Sequence, residues 1–416
     1  TAAAGEGDRT MGRVDVVAVL LAVGLNAIDG FDVLAITFAA PAIAKAWGIG
    51  PAQLGVALSS GLAGMTLGSL LLGPFGDRHG RRPLILACLL LMSVGTGLTA
   101  TASGIFSLCL WRVVTGLGIG GMLAAINAVA AEFASERRRD LCVGLMTIGY
   151  PVGGLVGGFV VADYIVPRGW QVVFVAGALA TALFLPLVWL GLPESRDFLA
   201  RGRAPTPQQA SRGNTIALFA PRYRRRTLVL VSAYFLHMLT FYFFSGWLPK
   251  LMSDLGYTIP DAVRTSSLLS LGGVIGGAVF GWLAPRIGLV RLLALAMAGT
   301  CMGLVLFGNA STLATMRFCA FATGVVMFGG IVGLYSLLAR SFPTELRVTG
   351  TGLAIGLGRG GSILGPIVGG LLIAQGVSAS VAIAVVGVAA LGAAAIVLLG
   401  QDSGVDDERS GMTRDT

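Results

Sequence analysis

The sequence predicts an all-α membrane protein with twelve transmembrane helices, arranged as two six-helix bundles related by a parallel repeat. Three observations lead there. Only 12% of the 416 residues are charged, against about 25% in a typical globular protein. With 55% hydrophobic residues and a mean hydropathy of +0.84, a water-soluble fold would lack the charge to cover its surface. The chain also divides into twelve apolar runs, each near the roughly 20 residues needed to cross about 30 Å of hydrocarbon. Finally, three motifs recur in the same order at nearly one offset. Soluble enzyme classes are excluded on the first count, and an enzyme is not expected: no nucleophile or metal constellation and no appended polar domain is visible.

The runs lie at 14–40, 52–74, 83–102, 104–131, 141–166, 170–192, 227–251, 263–284, 290–309, 312–338, 348–373 and 376–400, bounded by charges, Pro or Gly-rich turns. Residues 193–226, polar, Arg-rich and Pro-containing, divide the spans six and six. The expected organisation is therefore a first bundle over 1–192, an interdomain loop over 193–226, a second bundle over 227–400 and a tail over 401–416. The first run is too long for a cleavable leader and contains acidic residues, so a retained first span is expected. Basic residues give the orientation, because Lys and Arg are held on the cytoplasmic side. Of the 29, 22 fall at the termini and in the loops that share their face, eight of them in 193–226. Lys45, Arg168, Lys250 and Arg264 make up the opposite face. Both termini are thus expected inside the cell, in the inner (plasma) membrane. The net charge of +9 is largely this asymmetry, and no nucleic-acid partner is implied. The five cysteines lie in or at the ends of the runs, form no CxxC, and read as small apolar packing residues. No metal or cofactor is expected.

The repeat is legible in three places. Gly73, Arg78 and Gly80 recur as Gly281, Arg286 and Gly288, 208 residues on. Phe133, Glu136 and Arg138 map onto Phe342, Glu345 and Arg347 at 209, and Gly149, Gly153, Gly157 and Gly158 onto Gly361, Gly365, Gly369 and Gly370 at 212. Six spans per copy is an even number, so both copies enter from the same side, about an axis along the membrane normal. A pore on that axis is where a substrate is expected. The two glycine patterns read as close helix packing where the repeats meet.

The segment Gly73-Pro-Phe-Gly-Asp77-Arg78-His79-Gly80-Arg81-Arg82 resembles the loop 2–3 signature of the major facilitator superfamily, and the two six-span halves match that architecture along essentially the whole chain. The second copy departs from it with Pro285 where an Asp is usual. Span one carries Asn26-Ala-Ile-Asp29-Gly30-Phe31-Asp32, and this Asp-Gly-x-Asp resembles the aromatic acid:proton symporter family within that superfamily. The resemblance implies import of a small organic anion with protons. It also implies that Asp29 and Asp32 serve proton coupling or substrate binding, and that Asp77, Arg78, Gly80, Arg81 and Arg82 form a conformational gate. The Gly149–Gly158 pattern resembles an antiporter motif except that Gly154 replaces its Pro.

The residues argue along the same lines. Asp29 and Asp32, three apart, share a helix face with Asn26, and each charge inside a membrane costs about 2.5–3.5 kcal/mol on insertion scales. That face is expected to line a cavity; a helix end with solvated aspartates is the alternative. Arg112, eight residues into span four among small residues, must find a carboxylate, either an Asp of span one or the substrate. A purely structural ion pair would also satisfy it. Arg359, about twelve residues past its cytoplasmic loop, presents a planar fork suited to a carboxylate, or else pairs with an acidic neighbour. Span seven is rich in aromatics; Tyr234 and Phe241 there, with Tyr150 of span five, are candidates to meet a planar ring, the alternative being lipid-facing packing. His237 reads equally as a proton relay or a hydrogen-bonded structural residue. Glu132 and Glu136 are the expected partners of the gate arginines. The function expected is proton-coupled import of a small aromatic carboxylate by alternating access, by a monomer in the lipid bilayer; a proton-antiport exporter of drugs or metabolites shares the fold.

Overall fold

The computed structural model describes residues 11–195 and 217–411. For Asp77, Arg137, Thr344, Glu345, Arg347, Val348 and residues 401–411 it describes the backbone alone. Among the described residues thirteen α-helices run in order: α1 (Arg13–Trp47), α2 (Pro51–Leu71), α3 (Gly73–His79), α4 (Arg81–Thr99), α5 (Ile105–Glu132), α6 (Arg139–Arg168), α7 (Gln171–Gly191), α8 (Pro221–Asp254), α9 (Ile259–Ile287), α10 (Leu289–Gly308), α11 (Leu313–Ser341), α12 (Thr344–Ala374) and α13 (Ala379–Gly411). All but the short α3 include a stretch long and apolar enough to cross a membrane, which gives twelve among the described residues.

Several helices outrun the apolar stretches that reveal them. α8 spans Pro221–Asp254 where apolarity alone marks 227–251. The physical reason is that hydropathy ends where the side chains meet water, whereas a helix ends where its backbone donors and acceptors are capped. Pro221 sits at the first helical position, where its missing N–H costs nothing.

The described chain forms two compact units, one of 11–195 with Leu248–Ser270, the other of 217–247 with 271–411. In the first, α1 is sheathed by α2, α5, α6 and α7, and α5 runs along both α2 and α4. Every residue from Asp29 to Pro41 is consequently buried. Such close approach is possible because small residues sit at the crossings. A Cβ on Gly153 of α6 would fall on the Ala27 carbonyl of α1, and one on Gly30 would fall on the Tyr150 carbonyl. In the second unit the counterparts of Gly149 and Gly153, Gly361 and Gly365 of α12, meet the Phe235 and Leu239 carbonyls of α8 in the same manner. These glycines therefore pack helices of their own copy. Only Gly154 and Gly158, on another side of α6, face Ser270 and Ser267 of α9.

The duplication is also written in the backbone. Among the described residues every positive φ belongs to glycine: Gly48, Gly80 and Gly169 in the first copy, Gly256, Gly288 and Gly376 in the second. Each second-copy turn follows its counterpart by 208, 208 and 207 residues, so the same three connections turn through the left-handed region in both copies.

Candidate functional site

Three ionisable side chains meet in the core of the first unit. Asp29 is 1% exposed, Asp32 0% and Arg112 1%. Asp32 points from α1 toward α5 and α7. One carboxylate oxygen accepts a hydrogen bond from the Thr181 hydroxyl at 3.3 Å, Thr96 of α4 also reaches the carboxylate, and the other oxygen lies against Gly177, whose missing side chain leaves it room. The Arg112 guanidinium comes from α5. Its Nη2 donates to the backbone carbonyl of Asp32 at 2.8 Å, and its plane lies 5.9 Å from the Phe174 ring centre, a cation–π distance. Nε and Nη1 make no hydrogen bond, and neither does either oxygen of Asp29. Asn26, one turn back, turns its amide to α6 and donates to the Met146 carbonyl at 2.7 Å.

The structure thus brings Asp29, Asp32 and Arg112 together, and differs from the sequence reading in two respects. The acidic face does not open on a cavity; α1 lies inside its bundle, so both carboxyls are enclosed by protein. The hydrogen bond of Arg112 to α1 goes to the main chain of Asp32, which leaves the carboxylate to Thr96 and Thr181. Those two hydroxyls were invisible as site residues, because threonine is ordinary within apolar spans.

In the second unit Tyr234 of α8 packs its ring against Gly358 and feels the positive charge of the next residue, Arg359. Its hydroxyl shares a 3.3 Å hydrogen bond with that of Tyr335 on α11, and the two rings meet edge to face with centroids 6.1 Å apart. The result is a half-buried arginine near Tyr234, whose hydroxyl is paired with that of the more exposed Tyr335. Tyr335 carried no signal in the sequence. Phe241 lies two helical turns further along α8, about 10 Å away, buried edge-on against Phe328 at 5.0 Å. Tyr150 is half-buried on α6 in the first unit. His237 is buried, its Nε2 hydrogen-bonded to the Met327 carbonyl at 3.0 Å.

At one end of the first bundle α3 turns into α4 at Gly80, whose φ of +105° and ψ of 162° form a conformation essentially reserved for glycine. Gly80 has no side chain to cap α4, and Pro83 removes one donor of the first turn. Glu194, beyond the end of α7, supplies the cap: its carboxylate accepts from the amides of Arg81 at 2.8 Å, Arg82 at 3.3 Å and Ser195 at 3.0 Å. Arg82 donates to the Trp189 carbonyl at 2.5 Å and stacks on that indole at 5.3 Å. Arg81 lies 3.7 Å from Glu132 of α5. Arg78 and Glu136 are exposed, and the side chain of Asp77 lies outside the described residues. Glu194 is the residue that motif reasoning missed. An acid immediately after an apolar run, at the head of an Arg-rich segment, is the signal that could have found it.

Comparison with known proteins gives a consistent picture. A family profile described as Major Facilitator Superfamily matches residues 22–358 and 230–414. The chain is 33% identical over 395 residues to a gallate transporter of Pseudomonas putida, covering 89% of this chain and 88% of that one. It is 33% identical over 421 residues to a 4-hydroxybenzoate transporter of Pseudomonas aeruginosa, covering 93% of each. Among solved structures a D-xylose-proton symporter shares the fold with a TM-score of 0.75 at 16% identity, over 92% of this chain and 97% of that one.

Proposed function

Since the chain belongs to the Major Facilitator Superfamily, a family of multi-pass membrane transporters, we propose that it imports a small aromatic carboxylate together with protons, by alternating access. The observation that carries the coupling is the enclosed trio of Asp29, Asp32 and Arg112. One guanidinium neutralises one carboxylate, and a second ionised carboxylate enclosed without a donor would cost several kcal/mol. Asp29, which has no hydrogen-bond donor, is therefore stable in this enclosure with a proton bound. A group that must carry a proton when enclosed and can release it when opened links proton movement to the transport cycle.

The substrate class is supported by the relatives, named for gallate and 4-hydroxybenzoate, both ring carboxylates bearing hydroxyls. It is also supported by Arg359 near Tyr234, itself paired with Tyr335, a cation for the carboxylate with phenols for the ring and its hydroxyls. Asp77, Arg78, Gly80, Arg81 and Arg82, with Glu132 and Glu136, act in this reading as the cytoplasmic gate, and Glu194 holds its backbone. The charge asymmetry of the loops favours the inner membrane with both termini inside. Symport of a monoanion with two or more protons moves net positive charge inward, which the membrane potential assists by about 2.3 kcal/mol per charge per 100 mV.

The test is uptake of radiolabelled aromatic and aliphatic carboxylates by proteoliposomes, with and without an imposed pH gradient. Gradient-driven accumulation of hydroxybenzoates, lost in Asp29→Asn and Asp32→Asn while the protein still inserts, is expected. Uptake indifferent to the gradient would remove proton coupling, and uptake of aliphatic acids alone would remove the aromatic assignment.

A further inference from the structure

The chain has only two lysines, Lys45 and Lys250, against 27 arginines, and both line one cavity of about 630 Å³. It lies within the first unit, at the end opposite the gate, where the last turn of α1 and the start of α2 meet the end of α8 and the start of α9. Its volume is within the range of small-molecule sites, about 300–1,000 Å³. The wall is apolar along Pro41, Ile49 and Leu54, with the half-buried Tyr257 and the hydroxyls of Ser253 and Thr258 among its other surfaces.

Its charge is specific as well. Lys250 is paired with Asp254 one turn on, which leaves the exposed Lys45 as the cation that no acidic side chain of the wall engages. The N-terminus of α2 adds to the positive potential: its cap residue, Gly50, offers no side chain, its first turn holds no acidic residue, and the free amides there carry the positive end of the helix dipole. Asp261, at the start of α9, is engaged with the Thr258 hydroxyl. A positive rim over an apolar, tyrosine-bearing wall fits an aromatic carboxylate and not a cation.

We propose that this cavity is an extracytoplasmic entry site, in which Lys45 holds the carboxylate of the arriving aromatic acid while its ring rests against the Pro41–Tyr257 wall. The inference rests on the import reading above, and the experiment separates the two. Because these are the only lysines, a membrane-impermeant amine-acetylating reagent reports on this cavity alone apart from the N-terminus. In sealed proteoliposomes, 4-hydroxybenzoate is expected to slow acetylation of Lys45 at least three-fold by mass spectrometry, and the neutral 4-hydroxybenzamide to leave it unchanged. In uptake assays Lys45→Glu is expected to raise KM about five-fold at an ionic strength of about 20 mM, more than it lowers the maximal rate. The effect should shrink near 200 mM as the Debye length contracts, and Lys45→Arg should restore it. No protection and an unchanged KM in a protein that takes up the acid would overturn the entry site and leave the import reading intact. Protection in a protein that takes up no aromatic acid would support the site and overturn the import reading.

Discussion

Replacing Glu194 by Ala removes the acceptor of two amides in the first turn of α4. Hydrogen bonds to a charged group contribute about 1.5–3 kcal/mol each, and a carboxylate at a helix N-terminus adds about 0.3–1 kcal/mol. The Arg82 bond is long, at 3.3 Å, and Glu194 is only half-buried, so water recovers part of the loss. A net cost of about 2–3 kcal/mol is left for local opening of the turn, and at tenfold per 1.4 kcal/mol that speeds amide exchange at Arg81 and Arg82 roughly 30- to 150-fold. Hydrogen-exchange mass spectrometry of the protein in nanodiscs reads this directly on peptides covering Gly76–Leu84, with α10 peptides as the internal control. Glu194→Gln, which keeps one neutral acceptor, should show about a tenfold increase. Exchange in the Ala variant within twofold of wild type would refute the claim that this carboxylate caps α4. Gly80→Ala should mimic it, because a Cβ there meets the Glu194 carboxylate and the backbone conformation adds about 1–3 kcal/mol of strain.

Other expectations concern the interiors of the two units. Gly153→Ala and Gly361→Ala each drive a methyl into a main-chain carbonyl of the neighbouring helix, so each should destabilise by about 1–3 kcal/mol, seen as a lower thermal midpoint in detergent; an unchanged midpoint would mean that the helices separate freely. Arg112→Leu leaves the Asp32 carboxylate enclosed without its counter-charge, at about 3–5 kcal/mol, and adding Asp32→Asn should recover most of the folded yield measured by size-exclusion chromatography. If the double variant is no better than the single, the two charges are not energetically linked. Arg359→Gln should raise KM for hydroxybenzoate uptake at least tenfold, in line with loss of a charge-assisted carboxylate contact; a KM within twofold of wild type would take Arg359 out of substrate binding.

How much of this was legible in the sequence differs by kind of interaction. The spans were legible because hydrocarbon imposes apolarity on every residue that crosses it, and the acidic pair stood out because a charge at that depth is expensive enough to be rare. Helix ends such as Pro221 were not, since apolarity reports where lipid stops and not where the backbone is capped. Arg112 was found, but its bond to the Asp32 carbonyl was not, because main-chain acceptors leave no trace in residue identity. Glu194 and Tyr335 depended on contacts across 113 and 101 positions, and neither residue type was anomalous enough on its own to suggest them.

The six left-handed glycines bear on how such a molecule arises. Ancestral duplication would leave two scaffolds with the same turns, and here Gly288 keeps the bend of Gly80 although Pro285 stands where the first copy has Asp77. Geometry has stayed twinned while chemistry has drifted apart, with the acids settling in one copy and the guanidinium with its phenols in the other. A duplicated gene that first encoded two equal halves would in this way come to encode two unlike parts on one shared set of turns.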